Sequence, residues 1–145
     1  MFSIPISTLR YYDKEGLFPG LVRTDSGVRQ FRENDIEALR LIECLKKAGM
    51  EIRDIRKFMQ WCSKGPSTYA QRRAMLLRQR ETVEKELARM RQVLDMINYK
   101  CWYYDVALAN GSEDFLRTVR PEDMPEEIFA AWQNAHGDVD EPYNK

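Results

Sequence analysis

The stretch Ser7-Thr8-Leu9-Arg10-Tyr11-Tyr12-Asp13-Lys14-Glu15-Gly16-Leu17 carries the pattern that decides the fold. It sets an arginine and two adjacent tyrosines on a short helix, which Gly16 can end in a left-handed conformation before the Pro19-Gly20 turn. Ten residues further on, Val22-Arg23-Thr24-Asp25-Ser26-Gly27-Val28-Arg29-Gln30-Phe31 predicts a hairpin, with Asp-Ser-Gly as its turn and an arginine on each strand. A helix able to read DNA followed by a basic hairpin is the pattern of a winged helix.

Outward from this core, residues 34–48 carry Ile36, Leu39, Leu41, Ile42 and Leu45 at helical spacing, with Asp35 and Glu37 in the first turn. Gly49 ends that helix, and residues 51–61 form another with Ile52, Ile55, Phe58 and Met59 on one side. Ser63-Lys64-Gly65-Pro66-Ser67 interrupts the pattern as a hinge. A long helix is then predicted over 69–104, free of Pro and Gly. Its apolar residues Leu76, Val83, Leu87, Met90, Leu94, Ile97, Cys101 and Tyr104 alternate in steps of four and three from Val83 onward, which is a heptad seam. A single narrow apolar seam flanked by charges requires a partner helix. No second segment of comparable length is available for an intrachain hairpin, so a homodimer is expected.

The expected fold is mainly α: a winged helix-turn-helix DNA-binding domain over 1–66, a coiled-coil dimerisation helix over 67–104 and a short acidic C-terminal extension over 105–145. The extension contains Pro121, Pro125 and Pro142 and one short helix over 126–135.

Zero net charge conceals an asymmetry that matters for partners. Residues 1–104 hold 20 Lys and Arg against 13 Asp and Glu, whereas residues 105–145 hold 3 against 10. Phosphate responds to local basic surface, so overall neutrality does not argue against a nucleic-acid partner. No stretch has the apolar length to cross a bilayer, and Met1-Phe2-Ser3-Ile4-Pro5 lacks the pattern of a signal peptide. A cytoplasmic protein is expected. Three widely spaced cysteines, Cys44, Cys62 and Cys101, predict free thiols. No phosphate loop, positioned carboxylate pair or nucleophile beside a histidine is present, so neither an enzyme nor a cofactor is expected.

The order Leu9-Arg10-Tyr11-Tyr12-Asp13-Lys14-x-Gly16-Leu17, then Arg23-x3-Gly27-x-Arg29-x-Phe31, resembles the MerR family of bacterial transcription regulators over roughly residues 4–104. The resemblance implies double-stranded promoter DNA as partner, with the first helix in the major groove, Arg29 of the wing near phosphate and Lys46 at the DNA backbone. Arg10, Tyr11 and Tyr12 are the leading candidates for contact, with Ser7, Thr8 and Arg23 as further ones. Leu9 and one of the tyrosines are expected in the core, and Phe31 at the wing base. Members of the family ordinarily begin with one more helix that braces the recognition helix; here Met1, Phe2 and Ser3 stand in its place, so either the true start lies upstream and this sequence is a shortened version, or the brace has been lost. The resemblance further implies an antiparallel dimer and action on RNA polymerase through promoter distortion. On the alternative that the brace has been lost, the competing reading is a dimerising interaction protein that no longer binds DNA.

Cys44 has Arg40 four residues before it and Lys47 three after, on one helical face, and nearby cations favour the reactive thiolate. The plainer reading is a small core cysteine. The stretch from Ile42 to Ile52, then Gly65, resembles the branch of the family that responds to aldehydes and other electrophiles. This implies Cys44 as the sensing thiol and a small electrophile as inducer. Cys62 and Cys101, near the two ends of the long helix, define a metal-responsive alternative, but two thiols make an incomplete site, and His136 is the only histidine. No bound metal is expected.

Overall fold

The computed structural model describes residues 4–137. Met1, Phe2 and Ser3, on which the expectation of a missing first helix rests, and the last acidic residues of the extension lie outside the described residues. In order come α1 (Ile6–Lys14), β1 (Val22–Arg23), β2 (Arg29–Gln30), α2 (Glu33–Lys47), α3 (Ile52–Lys64), α4 (Tyr69–Asn110) and α5 (Glu126–His136), with short 3-10 turns at Pro66–Thr68, Phe115–Thr118 and Pro121–Asp123. The mainly α fold with a small antiparallel wing agrees with the sequence pattern.

Helices α1 and α2 end by the same device. Gly16 and Gly49 have φ of 76° and 84°, a region that costs glycine little. The next amide then reaches back five residues, Leu17 to the Tyr12 carbonyl at 3.0 Å and Met50 to the Leu45 carbonyl at 3.1 Å. The turn drives both reaching residues inward, so Leu17 and Met50 are buried together with Tyr12 and Leu45. These four, with Phe18, Ile42, Ile55, Phe58, Met59 and Met75, make one core. Each large side chain taken wholly from water contributes about 1.5–3 kcal/mol before entropy is charged against it.

The chain divides into two compact units at Val83/Glu84, inside α4. The division falls past residue 66 because the start of α4 belongs to the first core: Met75 is buried there and Gln79 Nε2 donates to the Ala48 carbonyl at 2.5 Å. Thr68 supports the hinge, its buried hydroxyl donating to the Trp61 carbonyl at 2.6 Å. In the second unit, Ala131 of α5 and Leu116 are buried, and His136 stacks on Trp132 at 4.9 Å. Helix α4 runs six residues beyond Tyr104, because no residue before Gly111 opposes it. The seam side chains are exposed along it, Leu87 at 69%, and the stripe continues to Leu108 at 81%.

Candidate DNA-binding surface

Three neighbouring residues of the opening motif fix α1 in place. The Tyr12 hydroxyl donates to the Glu43 carboxylate of α2 and accepts from Lys46 Nζ at 2.7 Å. Asp13 Oδ2 accepts from Arg23 Nη2 and from Arg29 Nε, each at 2.5 Å, so one carboxylate holds both strands of the wing. Glu15 receives Arg56 of α3, whose Nη2 lies 2.7 Å from Oε2 and whose Nε donates to the Glu15 carbonyl. The helix is thereby tied to α2, the wing and α3 through one turn of its own chain.

Tyr12 was expected to face DNA. Its ring is instead wholly buried, which assigns it to the core and makes it the tyrosine that α1 spends on packing. Burial raises the Tyr12 hydroxyl above the ordinary tyrosine range, and the bond to Glu43 adds to that effect. The Lys46 ammonium is also raised, chiefly by its bond to Tyr12. Lys46 is exposed apart from this contact.

Ser7, Arg10 and Tyr11 are exposed on α1, and Thr8 and Leu9 are half-buried. Arg10 makes no hydrogen bond or ion pair with another described residue, so its guanidinium is available to a ligand. A cleft of 440 Å³ is lined by Leu9 and Arg10 from α1 and by Val28, Arg29 and Phe31 from the wing. Arg10 and Arg29 therefore border one depression. Phe31 meets Phe18 edge-on at 5.6 Å, a packing contact at the wing base. The hairpin itself is closed by Thr24, whose amide donates to the Val28 carbonyl at 2.8 Å, with Gly27 at φ 79° in its turn.

Of the three cysteines, Cys44 and Cys101 are exposed and Cys62 is half-buried against the core. The structure adds a neighbour that sequence proximity did not supply: Arg72 Nη1 lies 3.7 Å from Cys62 Sγ, while its Nη2 donates to the Gly65 carbonyl at 3.0 Å. Among the described residues no group of three His, Cys, Asp or Glu side chains converges to hold a metal ion. No helix among them is long and apolar enough to cross a membrane.

The roles of Asp13, Glu43 and Arg72 were missed in the sequence. Asp13 stood inside the motif, but its partners lie 10 and 16 residues away, a separation with no periodic signature.

Residues 1–61 match the family model for MerR HTH family regulatory proteins, and residues 36–99 match that for the MerR DNA-binding region. The chain is 36% identical over 119 residues to an uncharacterized HTH-type transcriptional regulator of Haemophilus influenzae, across 82% of this chain and 86% of the relative. The chain belongs to the MerR family. It is 34% identical over 80 residues to the HTH-type transcriptional regulator AdhR of Bacillus subtilis, across 55% of this chain and 57% of that one. Among solved structures it is similar to HiNmlR, a MerR family regulator lacking the sensor domain and bound to promoter DNA, with 37% identity and a TM-score of 0.62 over 76% of this chain and 87% of the other. This chain is thus a MerR-type transcription regulator with a DNA-binding domain, and not an enzyme.

Proposed function

We propose that this MerR-type regulator works as a homodimer on double-stranded promoter DNA, reading it with Arg10 and Tyr11 and gripping its backbone with the wing. Ser7, Thr8, Arg23, Arg29 and Lys46 provide the surrounding polar contacts. The observation that carries this reading is the cleft shared by Arg10 and Arg29, where an exposed guanidinium with no partner among the described residues stands beside one preset by Asp13. Preset cations suit phosphate, and a free planar fork suits a base edge.

The dimer forms through the seam of α4. Its side chains Leu87, Met90, Leu94, Ile97 and Tyr104 are exposed in the single chain, and the family resemblance implies an antiparallel pair. In this reading the regulator distorts the promoter so that RNA polymerase can engage it.

Cys44 is the sensing thiol for a small electrophile. Two features support this: the thiol is exposed, and it lies next to Glu43 and two residues before Lys46, both of which hold Tyr12 of α1. An adduct at Cys44 therefore perturbs α2 where it positions the reading helix.

Fluorescence anisotropy with the DNA upstream of the gene, before and after treatment with formaldehyde, tests the whole scheme. Specific binding that changes with treatment in wild type and not in Cys44→Ser is expected. Absence of sequence preference ends the DNA reading, and an unaltered response in Cys44→Ser ends the sensor reading.

A further inference from the structure

Within the unit that ends at Val83, the start of α4 and Phe58 of α3 frame an open cleft of 380 Å³. Tyr69, Leu76 and Leu77 give it apolar surface, and Arg73 and Arg80 add charge. Tyr69 is 62% exposed and Leu76 41%, so these apolar groups stand in water in the single chain. Tyr104 and Leu108, at the opposite end of the same helix, are exposed as well.

The rhythm of four and three that marks the seam from Val83 extends in both directions. It runs back through Arg80, Leu76 and Arg73 to Tyr69, the first residue of α4, and forward to Leu108, two residues before its end. These steps read the same from either end, so two copies laid antiparallel with Tyr69 opposite Leu108 cover every position of the stripe. Leu76 then meets Cys101, Val83 meets Leu94 and Leu87 meets Met90. A slip of one heptad in either direction leaves Tyr69 and Arg73, or Tyr104 and Leu108, without a facing residue in both copies.

The two arginines in the stripe decide the direction. In a parallel pair each position faces its own copy, so Arg73 would meet Arg73 and Arg80 would meet Arg80 inside apolar layers, which like charge and lost hydration both oppose. In the antiparallel pair Arg73 faces Tyr104, a guanidinium against an aromatic ring, and Arg80 faces Ile97, against which its methylene stem packs while its charge stays in water. We propose that this cleft is the docking site for the far end of α4 in a second copy of the chain, which fills it with Tyr104 and Leu108. The inference rests on the homodimer reading and adds to it a register and a site on the DNA-binding unit that is incomplete without the second copy.

Cysteine bridging in the full chain tests the register, in a background of Cys44→Ser and Cys62→Ser that retains Cys101. On mild oxidation Leu76→Cys should give a covalent dimer, with peptide mapping joining position 76 to Cys101. On one helix these positions lie about 37 Å apart, so a bridge between them links two copies. Val83→Cys and Met90→Cys face Cys101 only in pairings shifted by one and two heptads, each heptad being about 10 Å, beyond the reach of a disulfide, and should stay unbridged. Tyr69→Cys with Leu108→Cys and Cys101→Ser probes the cleft itself. Both replaced side chains are exposed, so the fold is kept, and a bridge between positions 69 and 108 of two copies is expected. A monomeric mass by light scattering before oxidation removes the homodimer reading and this proposal with it. A dimer that bridges at Val83→Cys or Met90→Cys, joins Cys101 to its own copy, or fails to bridge at Leu76→Cys or between positions 69 and 108 keeps that reading and overturns the proposal.

Discussion

Lys46 of α2 donates to the phenolic oxygen of Tyr12 in α1 across 2.7 Å, although the two stand 34 residues apart. The same oxygen donates its proton to Glu43. A buried residue of α1 is thereby coupled to both side chains that bracket Cys44.

Tyr12→Phe keeps the buried ring and removes the hydroxyl. Glu43 and Lys46 then lose their shared partner, and stability should fall by about 1.5–2 kcal/mol, the lower part of the usual range for hydrogen bonds to charged groups. The partial exposure of the two charged partners keeps the figure in that range. Urea unfolding measures it directly, and a variant as stable as wild type would show that the hydroxyl contributes nothing to docking.

The same network predicts the alkaline limit of the fold. Tyr12 is raised above 10.0 and Lys46 above 10.5, so each holds its proton more tightly folded than unfolded. Their contribution is complete below the unfolded values and is lost as pH rises through the folded ones. Urea midpoints should therefore drop more steeply in wild type than in Tyr12→Phe above about pH 10. Parallel curves would contradict the linkage.

Much of the fold was legible because it follows local rules. Gly16 and Gly49 mark helix ends through backbone conformation, Asp-Ser-Gly marks the wing turn, and the heptad steps mark the apolar stripe that α4 leaves exposed in the single chain. The candidate site was legible in part. Arg10 and Arg29 are identifiable by type and spacing, but which tyrosine of Tyr11-Tyr12 turns inward depends on where α2 passes, and no local pattern states that. Asp13 and Arg72 act only through distant partners, so their roles emerge with tertiary structure. The last six residues of α4 were hidden by their acidic context, although nothing in Asp105–Asn110 opposes a helix.

DNA binding should separate the arginines by kind. Arg10→Ala removes a base-reading fork and should cost about 1–3 kcal/mol with relaxed sequence preference. Arg29→Ala should weaken all sequences and reduce the salt slope by about one. Asp13→Asn leaves both wing cations in place but releases them, so affinity should fall at least about tenfold while the salt slope holds. Equal affinity of all three with wild type would remove α1 and the wing from the interface.

Leu87→Lys with Leu94→Lys places four ammonium groups in the seam of a dimer. Each buried without a partner is strongly unfavourable, so the chain should become monomeric. Both side chains are exposed in the single chain, and the first core does not contain them, so the DNA-binding unit should stay folded. Light scattering that still reports a folded dimer would exclude this seam.

Thiol reactivity tests the sensor assignment against a rival that the fold itself supplies. Cys44 is exposed on α2, with Arg40 and Lys47 on its helical face. Cys62 also has a cation, Arg72 at 3.7 Å, but is half-buried against the core, so a reagent reaches it less readily. Cys101 is exposed in one chain and becomes covered if α4 pairs through the seam. Brief alkylation of the folded protein should therefore label Cys44 first, as read by mass spectrometry. Arg72→Leu removes the cation beside Cys62 without touching α2, so it should slow Cys62 and leave Cys44 unchanged. If Cys62 is labelled first and loses that lead in Arg72→Leu, the electrostatics of the hinge govern thiol chemistry, and the sensing role passes from Cys44 to Cys62.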